Sequence, residues 1–151
     1  MTALLLVAAL ASPVPVTRVG LRGGVAVPVD LGGGEAVARI FRFQADGRVV
    51  VGTDWLLHLG AGFDVPAFSS ERVAYGGAVG AAGLGRFLRG PVYGVAGAEV
   101  RWVGVAPYAL LGWVPYDART CLRLELQISQ HTVAIEGTYP TEFTVFSGVG
   151  W

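Results

Sequence analysis

Along most of this chain apolar and polar side chains alternate with a period of two, the spacing of a half-buried strand and not of a helix. The alternation is cleanest in the stretch from Cys121, where Leu122, Leu124, Leu126 and Ile128 oppose Cys121, Arg123, Glu125 and Gln127. Thr17 to Val29 splits as clearly, with Val19, Leu21, Val25, Val27 and Val29 set against Arg18, Gly20, Arg22, Gly24 and Ala26. A final stripe of Phe143, Val145, Ser147, Val149 and Trp151 runs to an aromatic at the last position. Between these lie Ala36 to Gln44, Val49 to Val65, Arg72 to Ala82, Val92 to Trp102 and Pro107 to Tyr116, which bring the predicted strands to eight. Ala45-Asp46-Gly47-Arg48 carries the Asp-Gly signal of a tight hairpin, and residues 83–91 and Asp117-Ala118-Arg119 read as further turns. Loops drawn this way are short, which argues against a large surface-recognition role.

A soluble domain gains nothing from an exposed terminal Trp on an unpaired strand, whereas a closed barrel pairs its last strand with its first. The expected fold is therefore all-β, an antiparallel up-and-down eight-stranded transmembrane β-barrel with both termini on one side. Alternation alone does not say which face meets lipid, because a soluble lipocalin-like barrel alternates with its aliphatics inward. Two features choose lipid outside. Aromatics recur eight positions apart in Trp55 and Phe63, Tyr108 and Tyr116, and Phe143 and Trp151. Eight residues on a tilted strand climb on the order of 20 Å, close to the distance between the two aromatic girdles of a membrane barrel. The polar faces are also rich in Gly and Ala, which suits a narrow interior better than a solvated exterior.

Composition agrees with apolarity spread over many short segments: 53% of residues are hydrophobic, 15% are charged, and there are 23 Gly. The longest apolar run, Ala3 to Ala11, is too short to cross a bilayer as a helix. Followed by Ser12-Pro13, it reads as the apolar region of a signal peptide over residues 1–11, which leaves residues 12–151 as a single barrel domain. Its leading Met1-Thr2 lacks the usual basic residue, so a short apolar strand is the alternative. Formal net charge is zero with no basic patch, which argues against a nucleic-acid partner. A lone cysteine, Cys121, permits no intramolecular disulfide, and neither His58 nor His131 stands at metal-ligand spacing, so no metal or cofactor is expected.

The apolar leader, eight strands, girdle aromatics and terminal aromatic together resemble the small outer-membrane barrels of the OmpA-like transmembrane domain and OmpX type. That resemblance implies a bacterial outer-membrane location, membrane lipid as surroundings, and recognition of the C-terminal strand by the outer-membrane assembly machinery. Thr144, Val149 and Trp151 match the C-terminal assembly signal, whereas Phe146 stands where Gly is expected. Trp55, Phe63, Trp102, Tyr108, Tyr116, Phe143 and Trp151 are the expected membrane-interface aromatics. Charges enclosed in a narrow lumen must pair, and Arg18, Arg22, Glu99, Arg101, Arg123 and Glu125 on the polar faces are the expected network. The expected role is non-enzymatic, a structural barrel with a largely plugged lumen or a small-solute channel. The alternatives are a secreted or periplasmic lipocalin-like barrel for an apolar ligand, and a lipid-modifying barrel enzyme. The last would use a His-Ser pair, but His58 is followed by Leu59-Gly60 and His131 by Thr132-Val133.

Overall fold

A computed structural model describes residues 17–29, 40–51, 54–66, 76–89, 91–114, 121–134 and 139–151. They form eight strands: β1 (Thr17–Val29), β2 (Ile40–Val51), β3 (Trp55–Pro66), β4 (Gly77–Arg89), β5 (Val92–Arg101), β6 (Gly104–Trp113), β7 (Cys121–Gln130) and β8 (Thr141–Gly150). Each pairs antiparallel with its neighbour in sequence, and β8 returns to β1, which closes the barrel. The seam is finished by reciprocal bonds between Val19 and Trp151, at 3.2 and 3.0 Å. Closure leaves no free edge.

The sheet closes with a consistent alternation. Leu122, Leu124, Leu126 and Ile128 are exposed on the outer wall while Arg123, Glu125 and Gln127 are buried inside. On β8, Phe143, Val145 and Val149 likewise face out and Glu142, Thr144 and Phe146 face in. Strand β6, apolar on both faces by sequence, sends Val105, Leu111 and Trp113 outward and Ala106, Tyr108 and Leu110 inward.

Several boundaries differ from the sequence reading, and β6 is among them, since it spans Gly104–Trp113 where Pro107 to Tyr116 is expected. Asp46-Gly47 is not a hairpin: it lies within β2, which runs on to Val51 before β3 begins at Trp55. Val49 to Val51 therefore belong to β2 and not to β3. The fourth strand occupies Gly77–Arg89 and not Arg72 to Ala82, because its small residues on both faces leave no alternation to read. Finally, the connections 30–39, 67–76 and 131–140, all at the end of the barrel away from the termini, are longer than the short loops expected. That is the loop end of the barrel, and the other, where β2 passes to β3 and β4 to β5, is the turn end. The expected signal peptide, residues 1–11, and Tyr116 lie outside the described residues.

Candidate functional site: the charged interior

Two inward rows face one another across the lumen. Strand β2 presents Arg42, Gln44, Asp46 and Arg48, and β7 presents Arg123, Glu125, Gln127 and Ser129, all buried. Their alternation with Phe41, Phe43 and Ala45, or with Leu124, Leu126 and Ile128, is the period-two rule of a strand whose two faces meet different surroundings.

Near the loop end, Arg42 grips Asp64 through two bonds of 2.6 and 2.7 Å and reaches Glu142 at 2.8 Å and Glu99 at 3.5 Å. Arg101 donates to both oxygens of Glu142 at 2.9 Å and also pairs with Glu99. Gln127 donates to Glu99 at 2.8 Å, and His131 Nε2 lies 3.1 Å from Arg101 Nη1. Nearer the turn end, Arg123 grips Asp46 at 2.7 and 2.6 Å. Glu125 accepts from Arg22 at 2.5 Å and from Arg48 and the Tyr93 hydroxyl. Gln44 Oε1 accepts from Arg22 Nε at 2.9 Å, and Arg22 and Arg48 lie over the Phe146 and Tyr93 rings at 4.1 and 4.5 Å. Fork-shaped guanidinium–carboxylate pairs of this kind fix geometry as well as charge. Beside the charges, Leu56, Ala81, Tyr93, Val95, Tyr108, Leu110 and Val114 pack into an apolar sector on β3 to β6.

Two large aromatics of this interior lie beside a glycine on the neighbouring strand that leaves them room. A Cβ on Gly112 would lie 2.2 Å from the Tyr93 ring, and one on Gly24 would lie 2.7 Å from Phe146. Phe146, the departure from the assembly signal, is thus accommodated by Gly24 directly opposite it on β1.

Of the expected charged network, Arg22, Glu99, Arg101, Arg123 and Glu125 meet in these clusters, while Arg18 is half-buried on the inward row of β1. Arg42, Asp46, Arg48, Asp64 and Glu142 belong to the clusters too, and sequence reasoning missed them. Continuing the β2 alternation through Asp46-Gly47 would have found three of the five. Trp55, Phe63, Trp102, Phe143 and Trp151 are exposed on the outside. Tyr108 is not: it points inward, 4% exposed, and its hydroxyl lies 2.8 Å from His58 Nδ1. A phenol inside the wall needs a polar partner, and His58 supplies one. Trp113, five residues further along β6, is the exposed aromatic of that strand near the turn end.

Neither a protein-family model nor a curated protein matches this sequence. Among solved structures, two of Ail, the attachment invasion locus protein of Yersinia pestis, share the fold. One has a TM-score of 0.58 at 11% identity, and the other, in complex with the heparin analogue sucrose octasulfate, has 0.56 at 13%. Both similarities cover 89% of this chain and 97% of Ail. At such identity the likeness is one of architecture, a closed eight-stranded antiparallel barrel.

Proposed function

We propose that this chain is a lipid-embedded, non-enzymatic barrel of the bacterial outer membrane, with a lumen plugged by its own ion pairs. The observation that carries the reading is the inversion of polarity across the wall. Leu122 and Leu124 are 70% and 58% exposed, while Arg123 and Glu125 between and beside them are buried. In water that arrangement would leave a continuous apolar surface far larger than soluble monomers expose. In a bilayer the same surface is matched to acyl chains, and a closed barrel is one of the two backbone forms that can cross. Strands of 10 to 13 residues suit the roughly 9–11 needed for a tilted crossing. A soluble lipocalin-like barrel would turn the leucine row of β7 inward, so the orientation of that row speaks against it.

The aromatic belts support the same placement. Phe41, Phe63, Trp102 and Phe143 are exposed towards the loop end, and Trp55, Trp113 and Trp151 towards the turn end. Indole and phenyl rings at both ends suit the two lipid–water boundaries. A structural, plugged role is favoured over a solute channel because the clusters and the apolar sector fill an eight-stranded interior between them. The outward row of β8, ending at Trp151, is the surface offered to an outer-membrane assembly machinery.

The test is fractionation with heat-modifiability. The full chain should partition into detergent and migrate differently on gels before and after boiling. Extraction as an ordinary water-soluble protein sinks the reading. A steady conductance in planar bilayers would replace the plug with a channel.

A further inference from the structure

On the outward rows of the described strands two side chains are ionisable, both near the tip of β4: Arg89, set in register with the outward Val92 by the bulge after Phe87, and Arg86. Everything around it at mid-wall is aliphatic, aromatic or small. A charge facing lipid is expensive at mid-depth and tolerated at the boundary. Arg86 stands at that boundary: it is paired in register with Trp55, a member of the turn-end tryptophan belt. Its guanidinium lies over the Trp55 ring at 6.0 Å. Asp54, in the turn beside it, is 4.0 Å away, too far for a hydrogen bond, and both side chains of that pair are more than half exposed. Among the described residues Asp54 is the ion-pair partner of Arg86, at a distance that leaves the guanidinium donors presented at the membrane surface.

Directly above Arg86 the outward row of β4 runs through Leu84 to Ala82, Gly80 and Ala78. Ala61 on β3 and Ala98 on β5 are the register partners of Gly80 and Ala82, so small residues continue to both sides. A Cβ placed on Gly80 would have nothing within 4 Å. The exposed Leu59 and Val100 rise on either flank. A shallow furrow thus lies over Ala82, Gly80 and Ala78 in the apolar belt, parted from the guanidinium by the exposed Leu84, and from Arg86 to Ala78 the row measures on the order of 25 Å along the strand.

Resting on the membrane reading above, we propose that Arg86 and Trp55 form a phosphate clasp for a membrane phospholipid, with one acyl chain lying over Ala82, Gly80 and Ala78. The guanidinium fork donates two parallel bonds to the unesterified oxygens of the phosphodiester, a geometry that an ammonium does not reproduce. The indole beside it holds the plane of the fork and occupies the interfacial depth at which the phosphate lies. Arginine and tryptophan stand at the boundary on the same outward row as the furrow, one leucine away from it, so the ligand they fit has an anionic head and a long apolar tail. Inorganic phosphate would use the first two and leave the third bare.

The experiment is native mass spectrometry of the full chain in mild detergent titrated with phosphatidylglycerol, run beside the heat-shift assay. Wild type is expected to retain one lipid under conditions where Arg86→Gln retains about fivefold less, the size of one near-surface arginine's attraction to an anionic lipid. Arg86→Lys should fall between them. Ala82→Leu, which fills the furrow and leaves the charge untouched, should also lower retention. All variants should keep the heat shift of the wild type. Equal retention by Arg86→Gln overturns the clasp. Displacement of the lipid by excess inorganic phosphate overturns the lipid assignment in favour of a plain anion site. Failure of the wild type to enter detergent or to shift on heating would instead remove the membrane reading on which the clasp depends.

Discussion

The loop-end cluster sets Arg42 and Arg101 against Asp64, Glu99 and Glu142, whereas the turn-end cluster sets Arg22, Arg48 and Arg123 against Asp46 and Glu125. One is short of a positive charge and the other of a negative one. Taken together, these buried groups balance. Gln44 and Gln127 stand between the clusters, the first accepting from Arg22 and the second donating to Glu99, so polar groups continue from one to the other. Neutrality in this lumen is a property of the whole interior and not of any one pair. Charges enclosed away from mobile ions are poorly screened, so a surplus in one cluster is felt by the opposite surplus in the next.

That difference makes the clusters respond oppositely to loss of a charge. The largest effects are expected where a substitution widens an existing imbalance. Arg42→Met leaves Arg101 alone among three carboxylates, and Glu125→Gln leaves three arginines facing Asp46. Each should cost about 3–5 kcal/mol, the range for an uncompensated buried charge, measured by denaturant unfolding in micelles. Next comes a charge placed on the other side of the wall. Leu126→Arg, in the middle of β7 and facing out, should cost about 2–4 kcal/mol in a bilayer; a negligible cost there would count against lipid contact. Tyr93→Phe, at the border between the turn-end cluster and the apolar sector, removes one donor from Glu125 and should cost about 1–3 kcal/mol in the same unfolding assay. The smallest effects should come from Glu142→Gln and Arg48→Met, which reduce the surplus of their own clusters, at about 1 kcal/mol each for the bonds lost. If Glu142→Gln proved as damaging as Arg42→Met, the charge imbalance would have no bearing on stability.

How much of this was legible in the sequence depends on whether the two faces of a strand differ in size. On β7 every second residue is a large aliphatic and its neighbours are Arg, Glu or Gln, so strand and facing can be read directly. On β4 both faces are small: Gly83 and Gly85 point inward beneath Tyr108 and Val95, and Gly80 and Ala82 point outward. No alternation survives, and the sequence pattern starts the strand at Arg72, ahead of its true start at Gly77. On β2 the alternation is present but punctuated by Asp46-Gly47, whose turn chemistry reads as a hairpin and interrupts the pattern. In the barrel Asp46 is held by Arg123 from across the lumen, a partner 77 positions away. Local propensity carries no information about such a partner. For Tyr108, a spacing of eight to Tyr116 fixes a shared face without saying which face it is. Its hydroxyl finds His58 inside, and sequence distance conceals that contact as well.

The seam between β1 and β8 has a consequence for assembly. Asp46 of β2 meets Arg123 of β7, and Arg22 of β1 meets Glu125 of β7, so the turn-end ion pairs join the first strands to the last-but-one. None of these bonds can form while the sheet is still an open ribbon. Such a ribbon would hold unneutralised arginines and carboxylates on the concave side and an unpaired edge at each margin, so partial insertion offers no resting point. The hoop must shut in one concerted event, and contacts this distant in sequence make that event slow.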